Sequence, residues 1–157
     1  MKKINMQPKD FNVDDDWYTP KYVVDMFGQF EYDPATNVQK ANEFNIKEFD
    51  TIETDGLKRD WTQFKRIWIN PPFTRKNEFL SKAVECYQKK HNDIYFVLPI
   101  QYLTTKSFHK IVKGATIYLP NGRIKFEKFG SEYATSPAFG SVIIKLSDNW
   151  NLEILQL

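Results

Sequence analysis

Residues 66–73 read Arg-Ile-Trp-Ile-Asn-Pro-Pro-Phe, and the fold is decided there. Ile67, Trp68 and Ile69 favour β structure and run straight into a polar Asn70 and two prolines, the pattern of a buried strand stopped abruptly at its carboxyl end. In open α/β sheets ligands bind in the crevice outside those ends. Pro71 and Pro72 lack N–H donors and fix φ. The corner is therefore stiff, its carbonyls are expected to be free to accept hydrogen bonds, and Phe73 is presented at a set angle.

Downstream, Phe79, Leu80, Ala83, Val84 and Tyr87 recur at helical spacing with Lys82, Lys89 and Lys90 opposite them, which predicts an amphipathic helix over Lys76–Lys90. Ile94–Leu98 is the next buried strand, ended by Pro99. A helix near Thr105–Lys113 and a strand over Thr116–Leu119 follow. Asn121-Gly122 is a tight-turn signal, so a hairpin is expected between residues 117–119 and 123–126. Residues 129–138 read as a loop, and Val142–Leu146 with Leu152–Leu155 as a closing antiparallel pair joined through Asp148-Asn149.

Upstream, residues 1–16 read as a polar arm whose Asp14, Asp15 and Asp16 are surface charge. Thr19 is placed to cap a helix that takes Pro20 in its first turn and turns Val23, Met26 and Phe27 inward. Phe30–Asp33 alternates like a short strand and ends at Asp33-Pro34-Ala35-Thr36-Asn37, where Asp33 serves as a cap or faces a cofactor. Residues 38–54 hold scattered anchors of a short strand or an irregular connection. Asp55-Gly56-Leu57 is a turn, and Trp61 closes a short helical segment. Early strands alternate with helices and late strands run together. The expected fold is a three-layer α/β sheet, mainly parallel with an antiparallel C-terminal edge, in one domain over residues 17–157.

A chain of 157 residues with 41% hydrophobic and 16% aromatic content can bury a proper core. The formal charge of +2 is unevenly spread: residues 1–60 carry 8 basic and 13 acidic side chains (8 − 13 = −5) and residues 61–157 carry 14 and 7 (14 − 7 = +7). That asymmetry points the later part at a polyanion. Cys86, the single cysteine, excludes an internal disulfide and suggests a reducing compartment. The amino end lacks the apolar run of a signal peptide, and no window approaches a membrane span. Cys86, His91 and His109 lack zinc-site spacing. A cytoplasmic protein without metal is expected, with His109 a helix residue whose side chain is satisfied locally.

Asn-Pro-Pro-aromatic at a strand end resembles the catalytic corner of S-adenosylmethionine-dependent amino methyltransferases, which act on adenine, cytosine or glutamine nitrogen. The physical need is clear. An exocyclic amine conjugated to a ring or carbonyl has its lone pair delocalised and attacks a methyl group poorly. The Asn70 side-chain oxygen and the Pro71 carbonyl would accept its two N–H bonds, pull the nitrogen toward tetrahedral geometry and hold the lone pair in line. Phe73 would stack on the flat substrate.

An ordered set spans residues 17–141: Trp17-x-Thr19-Pro20, Asp33-Pro34-Ala35 with Asn37, Asp55-Gly56-Leu57 with Trp61, Asn70-Pro71-Pro72-Phe73, Lys82-Ala83, Leu98-Pro99, Phe108-His109, Gly122-Arg123-Ile124-Lys125-Phe126 and Ser136-Pro137. It resembles the phage-type DNA N-6-adenine methyltransferase family. The resemblance implies a Rossmann-like class I methyltransferase fold, S-adenosylmethionine as donor and adenine in DNA as acceptor, often in a bacteriophage or prophage setting. By it, Trp17, Thr19 and Pro20 pack beside the methionine part of the donor. Asp33, Pro34 and Ala35 match the first-strand motif, and Asp55, Gly56 and Leu57 lie near the donor's adenine. Asn70, Pro71, Pro72 and Phe73 are catalytic. Arg75, Lys76, Arg123 and Lys125 flank these loops and, as a group, are expected to contact phosphates. The chain departs from the wider methyltransferase pattern in lacking a glycine-rich loop after its first strand, and Phe73 stands where many members have Tyr. Phe79 and Ser107 stand where Trp is expected. Two alternatives stay open: another planar nitrogen, in an RNA base or a glutamine amide, and a non-catalytic nucleic-acid-binding protein on a decayed scaffold.

Overall fold

The computed structural model describes residues 17–128 and 140–157. The expected arm at 1–16 and the loop at 129–138, with Ser136-Pro137, lie outside the described residues. The strands are β1 (Trp17–Tyr18), β2 (Tyr32–Asp33), β3 (Glu48–Phe49), β4 (Arg66–Ile69), β5 (Asp93–Pro99), β6 (Ala115–Pro120), β7 (Glu127–Lys128), β8 (Ser141–Leu146) and β9 (Asn151–Leu155). The helices are α1 (Lys21–Asp25), α2 (Val38–Glu43), α3 (Lys76–Lys90) and α4 (Lys106–Ile111). One mixed sheet runs in the order β3-β2-β4-β5-β8-β6-β9, and β1 pairs with β7 in a separate antiparallel ribbon. Within the sheet β8 runs antiparallel to both its neighbours, β5 and β6, and the remaining pairs are parallel.

Successive side chains of a strand point to opposite faces, and the core divides accordingly. Ile67, Ile69, Ile94, Phe96, Leu98, Val142 and Ile144 pack under α3 and α4 with Trp61 and Phe64. Trp68, Tyr95, Val97 and Ile143 pack under Val23, Val24, Phe30, Phe44, Ile46, Ile124 and Phe126. Helices on one face, sheet, and helix plus loop on the other make the expected three layers. α3 keeps the bounds its periodicity predicts, burying Phe79, Leu80, Ala83 and Cys86, and ends at His91 in the left-handed region (φ 50°).

Four local expectations are corrected. Thr19 does not cap α1: Pro20 is the N-cap and no side chain bonds there, while Val23 and Val24 turn inward and Met26 is exposed. Residues 38–43 form α2, because the Asn37 side chain accepts from Lys40 N–H at 2.8 Å and starts the helix. The hairpin at Asn121-Gly122 does not form, because a strand has two edges and those of β6 are taken by β8 and β9. Residues 123–126 instead leave the sheet, burying Ile124 and Phe126. For the same reason β8 and β9 do not pair: β6 lies between them, and β9 runs parallel to it.

Candidate active site

From β2 the chain moves outward to β3 and then returns to β4 on the opposite side of β2. The carboxyl ends of β2 and β4 therefore lie at a switch in winding direction, where the connecting loops part and leave a crevice. Asp33-Pro34-Ala35 leaves one end and Asn70-Pro71-Pro72-Phe73 the other. A cavity of about 380 Å³ opens there, walled by Trp17, Tyr18, Pro34, Ala35, Thr36, Thr51, Ile52, Asp55, Gly56, Asn70, Pro72, Thr74, Arg75 and Phe79. A wider groove of about 750 Å³ shares Tyr18, Thr36, Thr51 and Ile52 with it and extends along α2.

At the corner Asn70 is half-buried. Its Nδ2 donates to the Trp17 carbonyl at 2.7 Å and to Thr19 Oγ1 at 3.2 Å. A carbonyl oxygen can only accept, so this contact decides which end of the amide faces inward. Among the described residues nothing donates to Oδ1, the end left for an incoming N–H. The expectation of free proline carbonyls fails at Pro72, which accepts from Arg75 N–H at 2.9 Å and so closes the 3₁₀ turn Phe73–Arg75. Phe73 is half-buried, with the Lys76 ammonium 5.4 Å from its ring centroid.

Asp33 lies behind the wall, 3% exposed, with Oδ1 accepting from Ala35 N–H at 2.9 Å. Burial pushes its carboxyl up to about 7, opposed by that N–H. Past the strand ends the backbone ladder continues, from Asp50 N–H to the Asp33 carbonyl and from Thr36 N–H to the Asp50 carbonyl, each at 3.0 Å. Burial disfavours the Asp50 carboxylate, yet the bonds from the Tyr32 hydroxyl (2.5 Å) and Arg59 Nε (2.8 Å) help hold it below its usual range. Gly56 is the point of closest approach between the walls: a Cβ there would sit 2.0 Å from the Pro34 carbonyl oxygen. Only glycine permits that contact.

The expected site residues thus divide. Trp17, Pro34, Ala35, Asp55, Gly56, Asn70 and Pro72 line the cavity. Thr19, Pro20, Asp33 and Pro71 are buried behind it, Leu57 packs against the core, and Phe73 lies off the lining. Arg75 lines the wall, 3.8 Å from Asp55 and 3.0 Å from Glu78. Lys76 donates to the Phe73 carbonyl at 3.3 Å, while Arg123 and Lys125 are exposed on either side of buried Ile124. His109 Nε2 bonds the Leu103 carbonyl at 2.7 Å, the local partner expected for it. Tyr18, Thr36, Thr51, Ile52, Thr74 and Phe79 complete the lining without having been expected there. In a parallel sheet every carboxyl end opens on one edge, so recognising β3 would have placed Thr51 and Ile52 there.

A family model described as DNA N-6-adenine-methyltransferase (Dam) matches residues 7–157. The chain is also similar to a DNA N-6-adenine-methyltransferase of Escherichia phage T1, 33% identical over 129 residues that cover 79% of this chain and 52% of the relative. It spans about half that relative's length.

Proposed function

The chain belongs to the DNA N-6-adenine-methyltransferase family, and from that premise we propose that it methylates N6 of adenine in DNA, with S-adenosylmethionine as donor. The observation that carries this reading is the cavity that joins the carboxyl end of β2 to Asn70. Its volume of about 380 Å³ falls in the range of roughly 300–1,000 Å³ typical of small-molecule sites. Trp17 and Phe79 bring aromatic rings to a wall that suits a cationic sulfonium. Trp17, Pro34, Ala35, Asp55 and Gly56 would hold the donor, with Thr19, Pro20, Asp33 and Leu57 supporting them from behind.

Bound there, S-adenosylmethionine supplies an electrophilic methyl group. The chain's part is to prepare the acceptor. Asn70 Oδ1 and the Pro71 carbonyl take the two N6 hydrogens in hydrogen bonds and localise the nitrogen lone pair. With the donor bound, the amine would form its C–N bond as the C–S bond breaks, the electron pair would leave with sulfur, and the extra proton would pass to solvent. Adenine must leave the duplex to reach this corner, and stacking on Phe73 offsets part of that cost by roughly 1–3 kcal/mol. Arg75, Lys76, Arg123 and Lys125 would share the phosphate contacts, the last two from exposed positions on either side of buried Ile124.

Calorimetric titration with S-adenosylmethionine and transfer of labelled methyl into DNA, RNA and a glutamine-containing peptide test this together. Donor binding with label in DNA is expected. DNA binding without donor binding would indicate a non-catalytic scaffold, and preferential labelling of RNA or peptide would reassign the acceptor.

A further inference from the structure

Taking the acceptor role of Asn70 from the reading above, we propose that Thr19 is a positioning residue: its hydroxyl and the Trp17 carbonyl form a latch that sets the Asn70 amide in the one orientation that works. An asparagine amide has two ends of nearly the same shape and opposite hydrogen-bonding sense. Rotated by half a turn, it would present N–H groups to the substrate amine and lose the acceptor. The Trp17 carbonyl forbids that rotation, because the flipped amide would set oxygen against oxygen with no hydrogen between them. Thr19 takes the second N–H. Both donors are then occupied, and Oδ1 is the end turned to the substrate.

The latch is built rather than incidental. Thr19 is 1% exposed, so water does not compete for its hydroxyl. Pro20 follows it and biases Thr19 toward an extended backbone. Trp17 and Tyr18 are fixed by pairing with Lys128 and Glu127, and Glu127 is in turn bonded by the buried ammonium of Lys40. The Trp-x-Thr-Pro segment therefore acts on the methyl acceptor's catalytic side chain as well as standing beside the donor cavity.

The test uses the whole chain with Thr19→Val, Thr19→Ser, Asn70→Asp and Asn70→Ala. Loss of one hydrogen bond to the amide predicts that Thr19→Val lowers kcat, measured at saturating donor, roughly three- to tenfold, and that Thr19→Ser restores kcat to within about twofold. In Asn70→Asp an ionised oxygen faces the Trp17 carbonyl, so its activity should recover as pH falls and protonation supplies a donor. A Thr19→Val kcat within twofold of the native value overturns the latch, as does a loss confined to donor affinity. Should Thr19→Val not fold, the Asn70→Asp profile decides: recovery on acidification supports the latch and a flat profile overturns it. Full activity in Asn70→Ala would instead overturn the acceptor reading itself, while an inactive Asn70→Ala beside a normal Thr19→Val removes only the latch.

Discussion

Gly56→Ala adds one methyl group where the two loops of the cavity wall touch. Its Cβ would lie 2.0 Å from the Pro34 carbonyl oxygen and 2.8 Å from the Pro34 carbonyl carbon and Cβ, against a real minimum near 3.0 Å. The loops must part by about 1.0 Å (3.0 − 2.0). Neither side gives easily. Trp61 Nε1 donates to the Gly56 carbonyl at 2.8 Å and Lys82 Nζ to the Leu57 carbonyl at 2.6 Å. Across the gap the Asp33 side chain and the Asp50 N–H hold the Pro34 loop. Overpacking of this kind costs roughly 1–3 kcal/mol, which for a domain of this size lowers Tm by roughly 2–12 °C. Because the displaced atoms are cavity wall, S-adenosylmethionine affinity should fall about tenfold or more, the equivalent of ~1.4 kcal/mol. Thermal unfolding and calorimetry on the same preparation check both. A variant with native Tm and native donor affinity would refute the reasoning, since the clash would then have been absorbed without moving the wall.

Three further outcomes are expected. Asp33 carries a carboxyl raised to about 7 by burial, so between the ordinary carboxylate range and that value the native state keeps a proton that the unfolded chain has lost, and stability falls as pH rises through the window. Asp33→Asn should therefore gain stability relative to the native chain at pH 8 compared with pH 4, measured by urea unfolding; an equal difference at both pH values contradicts this. Burial works against the Lys40 charge, but Glu127 and Glu43 outweigh it, so Lys40→Ala should destabilise by roughly 1–3 kcal/mol and loosen the β1–β7 ribbon, visible as a lower urea midpoint. Replacing Arg123 and Lys125 together with Ala should weaken DNA binding equally across sequences and reduce the slope of log K against log salt by about 2; fluorescence anisotropy with an unchanged slope would remove both from the phosphate contacts.

The part of the fold from β4 to β5 is legible in the sequence because its signals are local and agree: a buried apolar run stopped by proline, a helical stripe, a second run stopped by proline. The winding switch that creates the crevice is less so: alternation over residues 30–33 declares β2, but β3 is a two-residue strand, too short for alternation to declare it. At the C-terminal side strand order depends on which edges are free, and Asn121-Gly122 states a local turn preference that the occupied edges of β6 override. The site follows the same division. Asn70 and Asp33-Pro34-Ala35 are turn-forming residues at strand ends, Asp55-Gly56 is a turn signal within a loop, and all announce themselves. Thr51 and Ile52 depend on an unrecognised strand. Thr19 shows the limit most sharply: a threonine before proline suits a helix cap equally well, and only the fold decides that its hydroxyl goes to Asn70.

The paired acceptors at the Asn70 corner are proposed to work on adenine N6. Incubating adenine-containing DNA with S-adenosylmethionine and either the native chain or Asn70→Ala, then digesting to nucleosides and measuring N6-methyldeoxyadenosine by mass spectrometry, tests this most directly. The native chain should form this nucleoside and Asn70→Ala should form it at least about a hundredfold more slowly, the loss typical when an electrostatic acceptor or donor is removed from a reacting centre. Equal yields from the two proteins, or methyl groups found at another atom, would contradict it.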